Sequence, residues 1–271
     1  MNVLTQGRPA ALLPLLDEPL AGLCLHLFRR HGIEHVTVIT NDDSVQDALG
    51  DGSLYRIRVD YAKSWPQGIC ESVCVLNGNT LTDADLSALE EQRIHAGADV
   101  ATALGAITVS AERAAQIPAG TPVESIIPVL MDQNKSVYMG DIQGYGRCVT
   151  DLASYRQAQT DLLSGKVGMP VAGRRIGRAF VARDGMIPPD VRIKGRCFVG
   201  RYAKLGSGCV LGTGVVIGRG AQVGRNAYLE NTCLMENACV DSDAILRNVM
   251  IIPRNGNQLL QNLFFFSARE S

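Results

Sequence analysis

Between Ile187 and Met235 an aliphatic residue returns at every sixth position: Ile187, Ile193, Val199, Leu205, Leu211, Ile217, Val223, Leu229 and Met235. A helix repeats its faces every 3.6 residues and a strand every two, so a sustained period of six asks for a chain that alternates straight segments with corners. Four residues after each aliphatic stands a second column, Val191, Cys197, Ala203, Cys209, Val215, Ala221, Ala227, Cys233 and Cys239, made mostly of small side chains. Glycine follows the aliphatic at Gly200, Gly206, Gly212, Gly218 and Gly224, where a backbone turning a corner wants either φ > 0 or no Cβ. No single repeat can bury its own aliphatic, but stacked repeats can. Each such side chain removed from water then contributes roughly 1.5–3 kcal/mol.

These columns resemble the hexapeptide repeat of left-handed parallel β-helices. The resemblance implies three hexapeptides per triangular coil, about three coils for this run, and Cys197, Cys209, Cys233 and Cys239 as small core hydrophobes in the inward column. Many proteins with this repeat are acyltransferases that use a histidine as general base. All four histidines, His26, His31, His35 and His95, precede the repeat, which leaves that chemistry without its base.

A chain of 271 residues with 46% hydrophobic content suits a globular protein of more than one domain. We divide it into an α/β domain (1–165), the β-helix (171–252) and an apolar C-terminal tail (253–271). No apolar run reaches the roughly 18 residues of a membrane span, and no basic segment followed by an apolar stretch and cleavage site opens the chain. A cytoplasmic protein without a membrane partner is expected, and with no CxxC pair, no zinc. Charge is divided unevenly, with 11 basic and 20 acidic side chains in 1–165 against 14 and 6 in 166–254. The basic segment could meet phosphates or an acidic partner, or simply solvate the faces of the coils. No aromatic residues interleave with its cations, so nucleic acid is not expected.

The first half alternates helix and strand patterns. Pro19 to Gly32 carries Leu20, Leu23, Cys24, Leu27 and Phe28 at helical spacing, with Gly32 as a stop. His35 to Thr40 and Ser72 to Leu76 read as buried strands, followed by a helix over about 83–96 and a strand near 99–107. That order predicts a doubly wound α/β sheet with its ligand site at the carboxyl ends of the strands.

Several segments carry a more specific likeness: Arg8-Pro9-Ala10-Ala11-Leu12-Leu13-Pro14-Leu15, Glu18-Pro19-Leu20, Val75-Leu76-Asn77-Gly78-Asn79-Thr80 and Gly144-Tyr145-Gly146-Arg147-Cys148-Val149 with Tyr155 downstream. Together they resemble the NDP-sugar pyrophosphorylases, or sugar-1-phosphate nucleotidyltransferases, among them the mannose-1-phosphate guanylyltransferases. The resemblance implies a truncated, Rossmann-like nucleotidyltransferase domain followed by a left-handed β-helix. Members join a nucleoside triphosphate to a sugar 1-phosphate and release pyrophosphate. Their chemistry uses a Gly-rich loop and lysines on the triphosphate and two carboxylates on Mg²⁺. By the same resemblance Arg8, Asn77, Gly78, Gly144, Tyr145 and Arg147 are candidate substrate-binding residues.

The catalytic positions depart from that pattern in one direction. The loop reduces to Gln6-Gly7; the lysines fall on Ala10 and Glu18; the metal aspartates fall on Asn79 and Cys148. Only Trp65 to Cys70 stands where the family places a base-contacting turn and helix. Every change removes positive charge from phosphate or negative charge from metal, and one lost transition-state contact of this kind costs about 2.7–4 kcal/mol. The expectation is a catalytically degenerate member: a regulatory or scaffolding subunit in nucleotide-sugar or surface-polysaccharide metabolism, with no cofactor. Its expected partners are a nucleotide sugar and further subunits, in a homo-oligomer or a hetero-oligomer with an active paralogue. The alternative is an active, divergent nucleotidyltransferase using Mg²⁺, with Asp83, Asp85 or Asp141 on the metal and Arg8 or Arg147 on phosphate. The apolar Leu259-Leu260 and Leu263 to Phe266 are expected to cap the β-helix or to meet a partner.

Overall fold

The computed structural model describes residues 9–132 and 136–253, together with the backbone of 262–265. Two compact units emerge: Met1–Leu13 with Pro19–Ser154, and Pro14–Glu18 with Tyr155–Ser271. Strands β1 (Pro14–Leu15) and β2 (Glu18–Pro19) form a hairpin. Its turn residues Leu16 and Asp17 have φ of 50° and 71°, which suits a tight two-residue loop.

In the first unit, helix α1 (Leu20–Arg30) buries Leu20, Leu23, Cys24, Leu27 and Phe28. It ends as expected at Gly32, whose φ of +76° lets Gly32 N–H reach Arg29 O (3.1 Å) and Ile33 N–H reach Phe28 O (3.0 Å), a Schellman closure. Strands β3 (His35–Ile39) and β4 (Arg58–Ala62) pair in parallel around helix α2 (Asp43–Leu49), which Asp42 caps. Strand β5 (Val73–Leu76) leads through β6 (Thr80–Thr82) to helix α3 (Leu86–His95).

The single strand expected near 99–107 is two strands, β7 (Val100–Ala103) and β8 (Ala106–Val109), joined at Leu104 and Gly105 with φ of 52° and 82°. Leucine is not a turn-forming residue, so the sequence hides this corner. The hairpin makes β8 antiparallel to both β5 and β7. After helices α4 (Ala111–Gln116) and α5 (Val123–Leu130), strand β9 (Val137–Met139) joins β7 in parallel, giving the order β5-β8-β7-β9. Trp65, from the segment that resembles no base-binding turn, is buried beside Val100, Ile107 and Leu130, its indole N–H on Ala114 O at 3.2 Å. Strand β10 (Gly146–Cys148) pairs with β6, and helix α6 (Leu152–Ser164) follows.

The second unit is a parallel β-solenoid. It opens with β11 (Arg174–Ile176) antiparallel to β12 (Ala179–Val181) and continues through β13 (Arg192–Ile193), β14 (Cys197–Val199), β15 (Lys204–Leu205), β16 (Val210–Leu211), β17 (Val215–Ile217), β18 (Gln222–Val223), β19 (Tyr228–Glu230), β20 (Cys233–Leu234), β21 (Cys239–Val240), β22 (Ile245–Arg247) and β23 (Val249–Ile252). The sheet β13-β16-β19-β22 has four levels, so the coils outnumber the three expected and begin before Ile187, at Ala179. Strand β24 (Asn262–Phe265) pairs antiparallel with β23; beyond that backbone pairing, the apolar tail lies outside the described residues.

Inside the solenoid Val199, Leu211, Ile217, Val223 and Leu229 stack with Cys197, Ala203, Cys209 and Val215, as the two columns require. The second-position glycines serve by lacking a Cβ: one at Gly224 would lie 2.3 Å from Ser242 N in the coil above, and one at Gly206 2.6 Å from Arg225 N. Left-handed corners fall elsewhere, at Gly208 beneath Asn226 and Gly214 beneath Asn231.

The period breaks after Leu229. Stacked partners are 18 residues apart from Val210 to Tyr228, but 17 apart from Val216 to Cys233 and from Gln222 to Cys239. One residue is missing from the hexapeptide that begins at Leu229, and losing one residue transfers every following side chain to the other face. Leu234, not Met235, therefore stacks on Ile217, and Thr232 follows Val215. Thr232 is fully buried, and its hydroxyl donates to Glu230 O at 2.8 Å. Cys233 and Cys239 leave the inward column: Cys239 is exposed, while Cys233 is buried on the outer side.

Helix α6 packs on that outer side. Tyr155, fully buried, donates to Pro14 O at 2.5 Å and accepts from Gln159 Nε2 at 2.9 Å, and Arg156 donates to Gly214 O and to Asn231 Oδ1. Burial pushes the thiols of Cys24, Cys74 and Cys197 up to about 12, and that of Cys233 upward as well. At pH 8 a maleimide should therefore label exposed Cys70, Cys148 and Cys239 within minutes and the other five only after denaturation, read by mass spectrometry. Protection of Cys239 in the folded chain would contradict the shortened repeat, which turns that residue out of the inward column.

Candidate functional site

The residues singled out by resemblance converge in the first unit around the antiparallel pair β6–β10, where Cys148 faces Thr80 and Gly146 faces Thr82. Asn79 and Cys148, the two positions where metal aspartates are expected, touch: the Cys148 thiol donates to Asn79 Oδ1 at 3.3 Å. The amide nitrogen of Asn79 donates to Val149 O at 3.2 Å, and Val149 N–H returns to Asn79 O at 2.8 Å. Both ends of the amide are thus engaged. A neutral amide and a thiol can hydrogen-bond a ligand but cannot balance a hard divalent cation as two carboxylates would. Among the described residues no three His, Cys, Asp or Glu side chains gather as a metal site would need.

Asn77 and Gly78 form the turn before β6. Asn77 Oδ1 accepts from Asn79 N at 3.4 Å, and a Cβ on Gly78 would lie 3.0 Å from Ala11 Cβ. The neighbouring Ala10 is half-buried in a 3-10 turn, Ala10–Leu12, and offers no charge toward the loop. Beneath, the Cys24 thiol of α1 donates to Thr80 O at 3.5 Å. Glu18 sits in β2 and belongs to the second unit; Arg8 lies outside the described residues.

Gly144, Tyr145 and Arg147 form the other side of the site. Tyr145 N–H donates to Asp83 Oδ1 at 2.6 Å, while Tyr145 O accepts from the Thr82 hydroxyl at 2.9 Å and from Asp83 N–H at 3.1 Å. Arg147 folds back on the same residue, its Nε 2.7 Å from Tyr145 Oη and its guanidinium 5.9 Å from the ring centroid. Gly146 is sterically required, since a Cβ there would lie 2.4 Å from Leu104 O at the β7–β8 corner.

The acidic residues considered as alternative metal ligands do not converge. Asp83 holds the Tyr145 backbone, and Asp85 caps α3 through Ser87 and Ala88 N–H at 3.1 and 3.0 Å. The exposed Asp141 is fixed through its backbone, which exchanges two 2.9 Å hydrogen bonds with the Gln92 amide. Of the two, only Asp85 caps the helix. Nothing local in the sequence signals the Asp83–Tyr145 clasp, which spans 62 residues.

Near the turn, His31 Nδ1 lies 3.3 Å from Ser87 Oγ and 3.7 Å from Asp85. Burial holds its pKa below the usual histidine value, partly offset by the Asp85 charge.

The chain thus joins a mixed α/β unit, with its candidate site on β6 and β10, to a parallel β-solenoid of hexapeptide coils. Residues 184–257 of that solenoid match the family model described as the GMPPB C-terminal domain. Among solved structures, part of the chain is similar to a Bacillus anthracis protein described as a putative glucose-1-phosphate thymidylyltransferase and crystallised with sucrose. The identity is 11%, the match covers 57% of this chain and 87% of that one, and the TM-score is 0.45. No curated protein matches the chain. No helix among the described residues is long and apolar enough to cross a membrane.

Removing the Asp83 carboxylate should leave Tyr145 N–H unpaired. Asp83→Ala is expected to cost about 1.5–3 kcal/mol in urea unfolding, equally in EDTA and in Mg²⁺. A loss seen only with Mg²⁺ present would make Asp83 a metal ligand instead.

Proposed function

We propose that this chain is a sugar-1-phosphate nucleotidyltransferase-like protein that does not catalyse nucleotidyl transfer and acts as a regulatory or scaffolding subunit in nucleotide-sugar metabolism. The observation that carries this reading is the contact between Asn79 and Cys148. Two residues 69 positions apart meet where the resemblance places a metal pair, and together they carry no carboxylate. The match of residues 184–257 to the GMPPB C-terminal domain supports the affiliation. The ligand in this reading is a nucleotide sugar bound without metal along the 77–79 turn and the Gly144-Tyr145 segment before β10. Tyr145 and the Asn77–Asn79 turn supply hydrogen bonds to a sugar, and no cofactor takes part.

Titration calorimetry with nucleoside triphosphates and nucleotide sugars, each with and without Mg²⁺, tests it. Metal-independent binding of a nucleotide sugar, with no pyrophosphate release in a coupled assay, is the expected result. Magnesium-dependent triphosphate binding with turnover would sink the proposal.

A charge-restoring variant gives a second test. In Asn79→Asp/Cys148→Asp two carboxylates replace one hydrogen-bonded pair, and like charges in contact oppose each other's ionisation. The melting temperature at pH 7 should fall by roughly 2–4 °C, as for a loss near 1 kcal/mol, and recover when Mg²⁺ is added at millimolar concentration. No change with or without metal would mean that the two side chains are not neighbours.

A further inference from the structure

One face of the solenoid differs from the rest. In β13, β16, β19 and β22 the residues Ile193, Leu211, Leu229 and Leu246 pack against or within the core, so their register neighbours Arg192, Val210, Tyr228 and Ile245 form the outward row, in which Val210 is buried, Tyr228 half-buried and the two ends exposed. Lys194 Nζ and the Arg247 guanidinium stand 5.8 and 5.1 Å from the Tyr228 ring centroid, and Ile245 is 72% exposed at the end of the row. Glu230 is engaged here, accepting from Tyr228 Oη at 2.9 Å and pairing with Arg247 at 3.7 Å. Arg192 and Lys194 are exposed and form no ion pair among the described residues. The face is an aromatic and aliphatic stripe edged by cations.

The first unit carries the converse. On α2, Asp43 and Asp47 are exposed, four residues apart on one helix face, and have no ion-pair partner among the described residues. Such a like-charge pair opposes its own helix. Shortly past the helix, Leu54 is 82% exposed. An acidic helix with an apolar residue beside it complements a basic row with an exposed isoleucine. The excess of acid in 1–165 and of base in 166–254 has the same sense.

We propose that the β13-β16-β19-β22 face binds the α2 region of a second copy of this chain, with Arg192 and Lys194 opposite Asp43 and Asp47. Unlike patches meeting in this way form a head-to-tail contact, which closes into a ring or extends as a filament. Charge complementarity of this kind accelerates encounter and is screened by salt. The contact uses neither Asn79 nor Cys148, so nucleotide titration and the following measurement answer separate questions.

Sedimentation velocity of the full chain over about a hundredfold range of concentration provides the test, at roughly 0.05 M and 0.5 M salt to vary the screening length. The wild type should associate in low salt and dissociate in high salt. Arg192→Glu/Lys194→Glu and Asp43→Lys/Asp47→Lys should each weaken association at least about tenfold while melting normally. An equimolar mixture of the two variants should regain it, because each reversed patch meets a reversed partner. A wild type that is monomeric throughout, association that survives either reversal, or a mixture that stays monomeric would each overturn the proposal; the last two outcomes would direct the search to other surfaces or to an acidic partner protein.

Discussion

A coil of the solenoid satisfies almost none of its backbone by itself. Its N–H and C=O groups run along the stacking direction, as in Lys204 N–H to Ala221 O, Gly206 N–H to Val223 O and Gly224 N–H to Val240 O. Parallel pairing between coils and burial of the inward aliphatics are therefore one event, and neither is available to a coil alone. Everything else in that unit follows from the close approach this ladder imposes. The glycines after the inward residues have no Cβ because the next coil's backbone occupies the space, and asparagines stack at the corners, Asn231 Nδ2 on Asn248 Oδ1 at 2.7 Å. At the two edges of one of its three sheets the antiparallel strands β11 and β24 pair with the outermost parallel strands.

The α/β unit obeys a different constraint. Its candidate site is a junction of backbone corners, the 77–79 turn, the β7–β8 turn at Leu104-Gly105 and the 144–146 segment leading into β10, that fit only because two of them carry glycine at the contact. The glycine at 146 is a packing requirement of the β7–β8 corner. The polar groups of the site mostly serve that closure. Asp83 and Thr82 hold Tyr145, Tyr145 holds Arg147, and Asn79 ties β6 to Val149.

The inward residues of the first coils were legible because a period of six has one structural solution. The shortened repeat was not, because its local residues disguise it. Met235 is as apolar as the Leu234 that replaces it, and Cys233 looks as suitable for the small column as the threonine that enters. Only the loss of one corner residue, Glu230-Asn231 standing where Gly212-Thr213-Gly214 stood a coil earlier, marks the change. In the α/β unit, helix α1 and its Gly32 closure were readable from local spacing. The hairpin at Leu104 was not, since the left-handed conformation there is imposed by tertiary contacts on a residue that does not favour it. The meeting of Asn79 with Cys148 was accessible through resemblance alone, as no local pattern links residues so far apart.

The change of corner residue from Gly214 to Asn231 gives the solenoid an address. Coils of equal length present the same surface again after each translation, and a helix lying against them has no reason to stop at one level. Arg156 of α6 reaches Gly214 O and Asn231 Oδ1 at the step where 18-residue spacing becomes 17. Sliding the helix up one level would set Arg156 against Asn231 and Asn248, where a side chain stands at the corner that Gly214 leaves open. The change from glycine to asparagine acts as an index mark along the stack.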